Sequence, residues 1–505
     1  MSYLDFLRLA IPETIVVVAA LAVLGVDLVV LRGVETRLRL LIGTMISCVG
    51  CLGGVAWLLA FPQTGNFMHG MLVANPLTRI VMIALLLLTI ATLLLSLETR
   101  FTPHIGEFFA LVLLGTVGML FLVSTEDILM IFVSLELTSL SLYILTAFDK
   151  SSVKSSEAAL KYFLFGGMAA AFTLFGLSLL YGIAHSTNLG QIAQAIAQKA
   201  THASAGAGAS HLTLDPVLIL AIVLTVAGFG FKLATVPFHL WAPDAYQGAP
   251  IPSAALIASG SKLAGFFILA KVMFLGFAGA EGTVAWRAFL PGWVPLLAVI
   301  AAASMVLGNL AALVQGSVRR LIAYSAIAHS GYMLIALLSH QVEAMAPLLY
   351  YVMTYGLTTL GAFGVVGVVQ ERAGGDRLAD FAGLGRSAPL LSFCMLIFML
   401  SLAGIPPLAG FFGKFYLFSF ALSAPGSGLG LLWLVSLAIG MSAVSLYYYL
   451  QVLKQIYVVP TAASGTSVKT PVSTQTVLVL LALAVLVLGC VPGLVLIPIL
   501  SALRL

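Results

Sequence analysis

The chain has 505 residues, 61% of them hydrophobic and 8% charged, with a mean hydropathy of +1.14 and a formal net charge of +5. A soluble domain carries about 25% charged residues, so soluble single-domain and multidomain folds are excluded. No basic patch with interleaved aromatics occurs, which removes nucleic acid as a partner.

A bilayer core needs about 20 apolar residues per helix, and fourteen such runs follow one another along the chain. They span 11–32, 40–61, 78–97, 106–123, 127–147, 158–184, 215–236, 252–276, 290–314, 319–339, 345–370, 388–422, 428–453 and 475–501. The runs are continuous and do not alternate, so helices are expected and a β-barrel is not. The first run is too long for a signal-peptide core and carries Arg32, Arg37 and Arg39 behind it, so it is expected to remain in the mature protein. In the second run Cys48 and Cys51 form a C-x-x-C at helical spacing among small apolar residues, which reads as packing. After the sixth run, 185–214 contains KATHASAGAGASH and is expected to be a mobile linker. The segment 460–473 reads as a second connector. No segment is large enough to house a nucleotide, flavin or iron–sulfur site.

Of the 23 lysines and arginines, fourteen fall in or beside odd-numbered loops, five in even loops and the termini, and four inside helices. The positive-inside rule therefore puts the odd loops in the cytoplasm and both termini on the periplasmic side.

The seventh run breaks at GFGFKLATVPFHLW, where Pro237 follows Lys232 by five residues. The twelfth breaks at AGIPPLAGFFGKF, with Pro406 and Pro407 before Lys414. Proline removes a backbone bond, and at bilayer depth the freed groups must be met by protein or water. Two breaks five runs apart suggest two inverted five-helix repeats, runs 4–8 (106–276) and 9–13 (290–453), within a single transmembrane domain over 1–505. Residues 1–100 then form three leading helices, and 475–501 the last.

A charge at the bilayer centre costs about 2.5–3.5 kcal/mol on insertion scales. Glu136, Lys232, Lys262 and Lys414 all sit inside runs. Low-dielectric surroundings favour the neutral forms of lysine and carboxylate alike, and an opposite charge restores the charged forms. Moving Glu136 away from a Glu136–Lys232 pair would therefore release a proton from the lysine. The bland reading is a static ion pair, which leaves Lys262 and Lys414 unexplained. Lys271, near the end of the eighth run, reads as a side chain snorkelling to the headgroups, and Asp27 and Glu107 read as interfacial. His239, after the seventh-run break, and His329, in the tenth run, are candidate proton relays or plainly hydrogen-bonded core histidines. Tyr324, Ser325, Ser330 and Tyr332 could hold water beside His329. No histidine spacing suggests a metal site.

The strings GEFFALVLLGTVGM, SLELTSLSLYIL, EAALKYFLFGGMAAAF, FKLATVPFHLWAPDAYQGAP, GSKLAGF, GNLAALVQGSVRRLIAYSAIAHSGY and SLAGIPPLAGFFGKFYLF resemble the antiporter-like membrane subunits of respiratory complex I, above all the branch called subunit N. The resemblance covers runs 4 to 12. It implies an all-α polytopic membrane protein of about 14 transmembrane helices, with inverted repeats and broken helices 7 and 12. It also implies a proton-translocating subunit of NADH:quinone oxidoreductase in a bacterial inner membrane, with other membrane subunits of that complex and the lipid bilayer as partners. Glu136, Lys232, Lys262 and Lys414 occupy the family's central hydrophilic axis. Cofactors are expected elsewhere: NADH, FMN, iron–sulfur clusters and quinone belong to other subunits. The alternatives are a subunit of a cation/proton antiporter, a membrane-bound hydrogenase subunit, and a purely structural anchor.

Overall fold

The computed structural model describes residues 8–98, 101–206, 214–284, 290–339, 341–423, 430–460 and 471–504, with the backbone alone for 199–206. Arg100, Arg287, Lys469 and most of the 460–473 connector lie outside the described residues. The chain folds as α-helices, twelve of which, among the described residues, are long and apolar enough to cross a membrane.

The three leading helices are α1 (Ile11–Val29), α2 (Thr36–Ala60) and α3 (Pro76–Leu95). Between α2 and α3 lies a feature that the all-α expectation lacked. Gly65–Phe67 and Leu72–Ala74 pair as a small antiparallel hairpin. Then come α4 (Ile105–Val123), α5 (Ile128–Thr146) and α6 (Val153–Ala184). The expected mobile linker at 185–214 is instead largely helical: α7 runs Leu189–Gly206. Leu189, Ile192 and Ile196 are buried in its first turns, so apolar residues at helical spacing outweigh the small residues that follow.

The seventh run divides at Lys232 into α8 (Pro216–Lys232) and α9 (Trp241–Gly248). The eighth divides as well, unexpectedly, into α10 (Ile251–Ala258) and α11 (Gly260–Lys271), the latter continuing into one π turn. The residue between them, Ser259, has φ −111° and ψ −80°, off helical geometry, and its hydroxyl bonds back to Ala255 O at 2.6 Å. Next are α12 (Trp293–Leu313), α13 (Val318–Leu337) and α14 (Met345–Ala373). A short turn of helix, α15 (Leu384–Ser387), precedes the twelfth run, which divides into α16 (Pro389–Ala403) and α17 (Ala409–Ser423). The chain finishes with α18 (Leu432–Tyr457), α19 (Val472–Cys490) and α20 (Gly493–Leu503). The last expected run is thus two helices, since Pro492 cannot continue α19.

Helices α10, α11 and α14 form the centre. Residues 251–273 are buried apart from the half-buried Ile251, and α14 packs against α3, α10, α11, α13, α16, α17, α19 and α20. The periphery is apolar and exposed, as at Leu21, Val49, Leu160 and Phe175. Small residues let helices meet closely. A Cβ on Gly228 of α8 would fall 1.7 Å from Thr173 Oγ1 of α6. Cys48 and Cys51 are free thiols within α2, in keeping with packing.

Asp27 lies near the end of α1, but it is buried and not interfacial. Arg39 of α2 grips it through Nε at 2.8 Å and Nη2 at 2.7 Å, and Gly106 N–H adds a bond of 2.9 Å. Removing one partner of such a pair leaves the other charge uncompensated, at a cost of about 3 kcal/mol. Asp27→Ala is therefore expected to lower the thermal midpoint of the purified assembly, whereas Leu21→Ala on the exposed periphery leaves it unchanged.

Candidate proton-relay site

The two proline breaks supply the polar groups that hold the site together. In the α8–α9 break the freed backbone groups are met one by one. Trp241 Nε1 donates to Phe231 O at 2.9 Å, Thr235 N to Gly230 O at 2.8 Å, Ser330 Oγ to Leu233 O at 2.8 Å, and Ser304 Oγ accepts from Val236 N at 2.9 Å. In the α16–α17 break, Gly404 takes φ +87°, a left-handed conformation suited to glycine. Lys414 Nζ reaches back to Leu402 O and Ala403 O, both at 3.0 Å, and to Ser442 Oγ at 2.8 Å. An ammonium at the carbonyl end of a helix meets both unsatisfied acceptors and a favourable dipole.

Lys232 ends α8. It is 7% exposed, and its Nζ donates to Ser139 Oγ of α5 at 3.1 Å. Glu136 lies on the same helix, one turn before Ser139, and is half-buried. Among the described residues no cation lies within 4.0 Å of its carboxylate, although it and Lys232 interact electrostatically at longer range. Glu136 and Lys232 are therefore neighbours without ion-pair contact. Leu233 and the Lys232 stem both pack at Gly265 of α11, one turn from Lys262.

Lys262 is 2% exposed and follows the α10–α11 break. Its Nζ donates to Ala326 O at 2.5 Å and Ser330 Oγ at 2.7 Å, both on α13, and lies 5.4 Å from the centre of the Tyr355 ring. Because Ser330 Oγ also reaches Leu233 O, one hydroxyl joins the lysine of α11 to the α8–α9 break.

His329 adjoins Ser330 and is fully enclosed. Its Nδ1 lies 2.6 Å from Tyr351 OH and its Nε2 3.1 Å from Tyr449 OH. A neutral imidazole donates from one nitrogen and accepts at the other, so the tautomer decides which tyrosine donates. Its ring is 5.1 Å from Tyr355 and 5.5 Å from Tyr332, centre to centre. Those tyrosines sit beneath Lys262 and Lys414 respectively, the latter with Nζ 5.1 Å from the Tyr332 ring. His329 therefore stands between two buried lysines, both of which it senses electrostatically.

Of the expected site residues, Lys262, His329 and Lys414 come together, and Glu136 and Lys232 form an adjoining group. His239 is buried in the α8–α9 break with no partner for Nδ1, and among the described residues no contact ties its ring to the lysines. Of the four residues expected beside His329, Ser325 bonds Tyr449 and Ser330 bonds Lys262. The histidine's own partners, Tyr351 and Tyr449, come from α14 and α18 and were not foreseen. Lys271 does not snorkel. It is 4% exposed, with Nζ 3.0 Å from Val123 O, 3.4 Å from Thr125 O and 3.6 Å from Glu126 Oε1. Among the described residues no cluster of three or more His, Cys, Asp or Glu side chains is placed to hold a metal ion.

Residues 125–442, which carry this site from Glu136 to Lys414, match the family described as NADH:quinone oxidoreductase/Mrp antiporter, transmembrane. NADH-quinone oxidoreductase subunit N 2 of Acidobacterium capsulatum is 52% identical over 502 residues, covering 98% of both chains. The chain belongs to the subunit N family of NADH-quinone oxidoreductases. Subunit N 1 of Roseiflexus castenholzii is 39% identical over 446 residues, or 85% of this chain and 80% of that one. A chain of respiratory complex I from Thermus thermophilus superposes with a TM-score of 0.76 at 34% identity, covering 96% of this chain and 98% of that one. The Mrp complex from Dietzia, at 21% identity and a TM-score of 0.79 over 99% of this chain and 97% of that one, shares the fold alone.

Ser330 is the joint between the two groups of the site. Ser330→Ala leaves Leu233 O and Lys262 Nζ each short of a partner, which costs about 1–3 kcal/mol. A lower thermal midpoint of the purified assembly is expected, with Ser330→Thr closer to the parent.

Proposed function

We propose that this chain translocates protons as an antiporter-like subunit of NADH:quinone oxidoreductase, through a relay built from Glu136, Lys232, Lys262, His329 and Lys414. The observation that carries the reading is the line of buried lysines held by neutral oxygens. Lys232, Lys262 and Lys414 have hydroxyl and carbonyl acceptors but no carboxylate within 4.0 Å among the described residues. An ammonium held this way keeps hydrogen bonds but no countercharge, so gain or loss of a proton is open to it when a neighbouring charge moves. His329 and its tyrosines place hydroxyl and imidazole groups between Lys262 and Lys414, which they meet through the Tyr355 and Tyr332 rings. His239 stands apart from that set and belongs to the relay only by its place in the break.

Redox chemistry lies with other subunits, which hold the NADH, flavin, iron–sulfur and quinone sites, and this chain assembles with the other membrane subunits. Moving a charge against the membrane potential takes about 2.3 kcal/mol per 100 mV, which quinone reduction elsewhere must supply. Residues 106–276 and 290–453 act as two inverted units, each with a proline-broken helix ending at or leading to a lysine, and the first with a further break at Ser259. The excess of positive charge beside odd loops supports a bacterial inner membrane with both termini on the periplasmic side.

NADH-driven acidification of inverted membrane vesicles tests the relay. Lys232→Ala and Glu136→Ala are each expected to depress pumping while the complex still assembles. Unchanged pumping and NADH oxidation in assembled complex would make the pair structural.

A further inference from the structure

Away from the lysine axis, at the ends of helices α1, α3 and α4, a buried carboxylate has been given no role. Glu13 lies in the first turn of α1, 1% exposed, in a membrane-spanning helix. Its Oε1 accepts from Ser124 Oγ at 3.4 Å, while its Oε2 has no hydrogen-bond partner among the described residues. Thr78 Oγ1, on α3, is likewise buried without a partner. Both residues line one cavity of about 30 Å³, together with Arg8, Trp57, Arg79 and Ser124. A cavity of about 10–15 Å³ is enough to hold a water, which needs two to four polar partners. Glu13 Oε2 and Thr78 Oγ1 are two such partners, with Arg8 and Arg79 as the cations that share the cavity wall. No cation lies within 4.0 Å of the Glu13 carboxylate among the described residues.

The same short stretch of chain is gripped from its other side by Lys271. Its Nζ takes Val123 O at 3.0 Å and Thr125 O at 3.4 Å, and lies 3.6 Å from Glu126 Oε1. Lys271 stands nine residues beyond Lys262, at the far end of α11. The backbone on either side of Ser124 is therefore held by a buried ammonium, while the Ser124 hydroxyl, bonded also to Leu120 O at 2.9 Å, reaches a buried carboxylate that opens on a polar cavity. This face bears the even loops.

The geometry points to Glu13 as a proton-release group for this chain, served by a water bound between Glu13 and Thr78. The inference rests on the proton-translocating reading above. In the loading step the Lys271 ammonium loses a proton, which passes by way of the Ser124 hydroxyl to form an O–H bond on the Glu13 carboxylate. Lys271 is left as a neutral amine. In the release step that O–H bond breaks, the proton goes to the cavity water and out to the even-loop face, and Glu13 returns to carboxylate. The amine is recharged from the axis. No electron changes hands.

The test uses the whole complex in inverted vesicles, with rates normalised to assembled enzyme. Glu13→Gln is expected to slow NADH-driven acidification roughly a hundredfold, the lower end of the range for removing one positioned acid–base group, with Glu13→Asp recovering most of it. The infrared difference spectrum between resting and NADH-reduced enzyme should lose a carboxyl C=O band in Glu13→Gln and shift it in Glu13→Asp, neither of which a packing role would produce. Unchanged acidification and an unchanged carboxyl region in Glu13→Gln would overturn the inference. If that variant fails to assemble, the band in Glu13→Asp decides alone: a shift supports the role and no change removes it. Normal pumping by Glu13→Gln together with depressed pumping by Lys232→Ala would sink only this inference. Normal pumping by both would sink the relay itself.

Discussion

Keeping an ammonium deep in a bilayer without a carboxylate beside it is the constraint on which this architecture depends. An unpaired charge there is expensive, and the usual answer is an ion pair. Three buried lysines of this chain are met by oxygen dipoles alone, Lys414 by two helix-end carbonyls and a serine, Lys262 by a carbonyl and a serine, and Lys232 by a serine, while Lys271 is met by the carbonyls at the end of α4 with the Glu126 carboxylate 3.6 Å away. Carbonyls at bilayer depth lack a helical partner where a helix stops, although Ala326 O within α13 also accepts a bond from Lys262. The break after Ala403 and the C-terminus of α4 thus make Lys414 and Lys271 tolerable, and those two lysines in turn satisfy carbonyls that the helix ends expose.

That reciprocity bears on how a distant redox event could move protons here. A tight buried ion pair is hard to open, because each charge is left uncompensated. An ammonium on neutral acceptors lacks that lock. Its hydrogen bonds survive in altered form when it becomes an amine, and the charge it loses is felt by the next group along the line. Glu136 at longer range from Lys232, and His329 between Lys262 and Lys414, place each titratable group within electrostatic reach of a neighbour. Coupling through such a line needs small displacements of side chains, within a core where α10, α11 and α14 are too enclosed to shift far.

Much of this was legible in the sequence because membrane folds write their constraints plainly. Continuous apolar runs gave the helices, and proline beside lysine gave the breaks at Pro237 and at Pro406–Pro407. Charges inside apolar runs gave Glu136, Lys232, Lys262 and Lys414. What was not legible is of two kinds. The Ser259 break has no proline to announce it, only the run of small residues at 259–261. The partners of His329, Tyr351 and Tyr449, are brought in from α14 and α18, and nothing in local pattern pairs residues so far apart. Lys271 and Asp27 were misplaced for one reason: position near a helix end says nothing of whether that end meets lipid headgroups or another helix. The helix at Leu189–Gly206 was obscured because its apolar stripe is confined to the first turns.

The protonation state of Lys262 is the most direct measurement of whether these lysines carry protons or merely hold helices together. With the chain labelled at lysine Nζ with nitrogen-15 in assembled complex, and the Lys262 resonance assigned by its loss in Lys262→Gln, spectra can be compared at rest and during NADH-driven turnover. Populated ammonium and amine forms during turnover are the expected result. A Lys262 signal fixed in one form under both conditions, in complex that pumps normally, would contradict a relay through this residue.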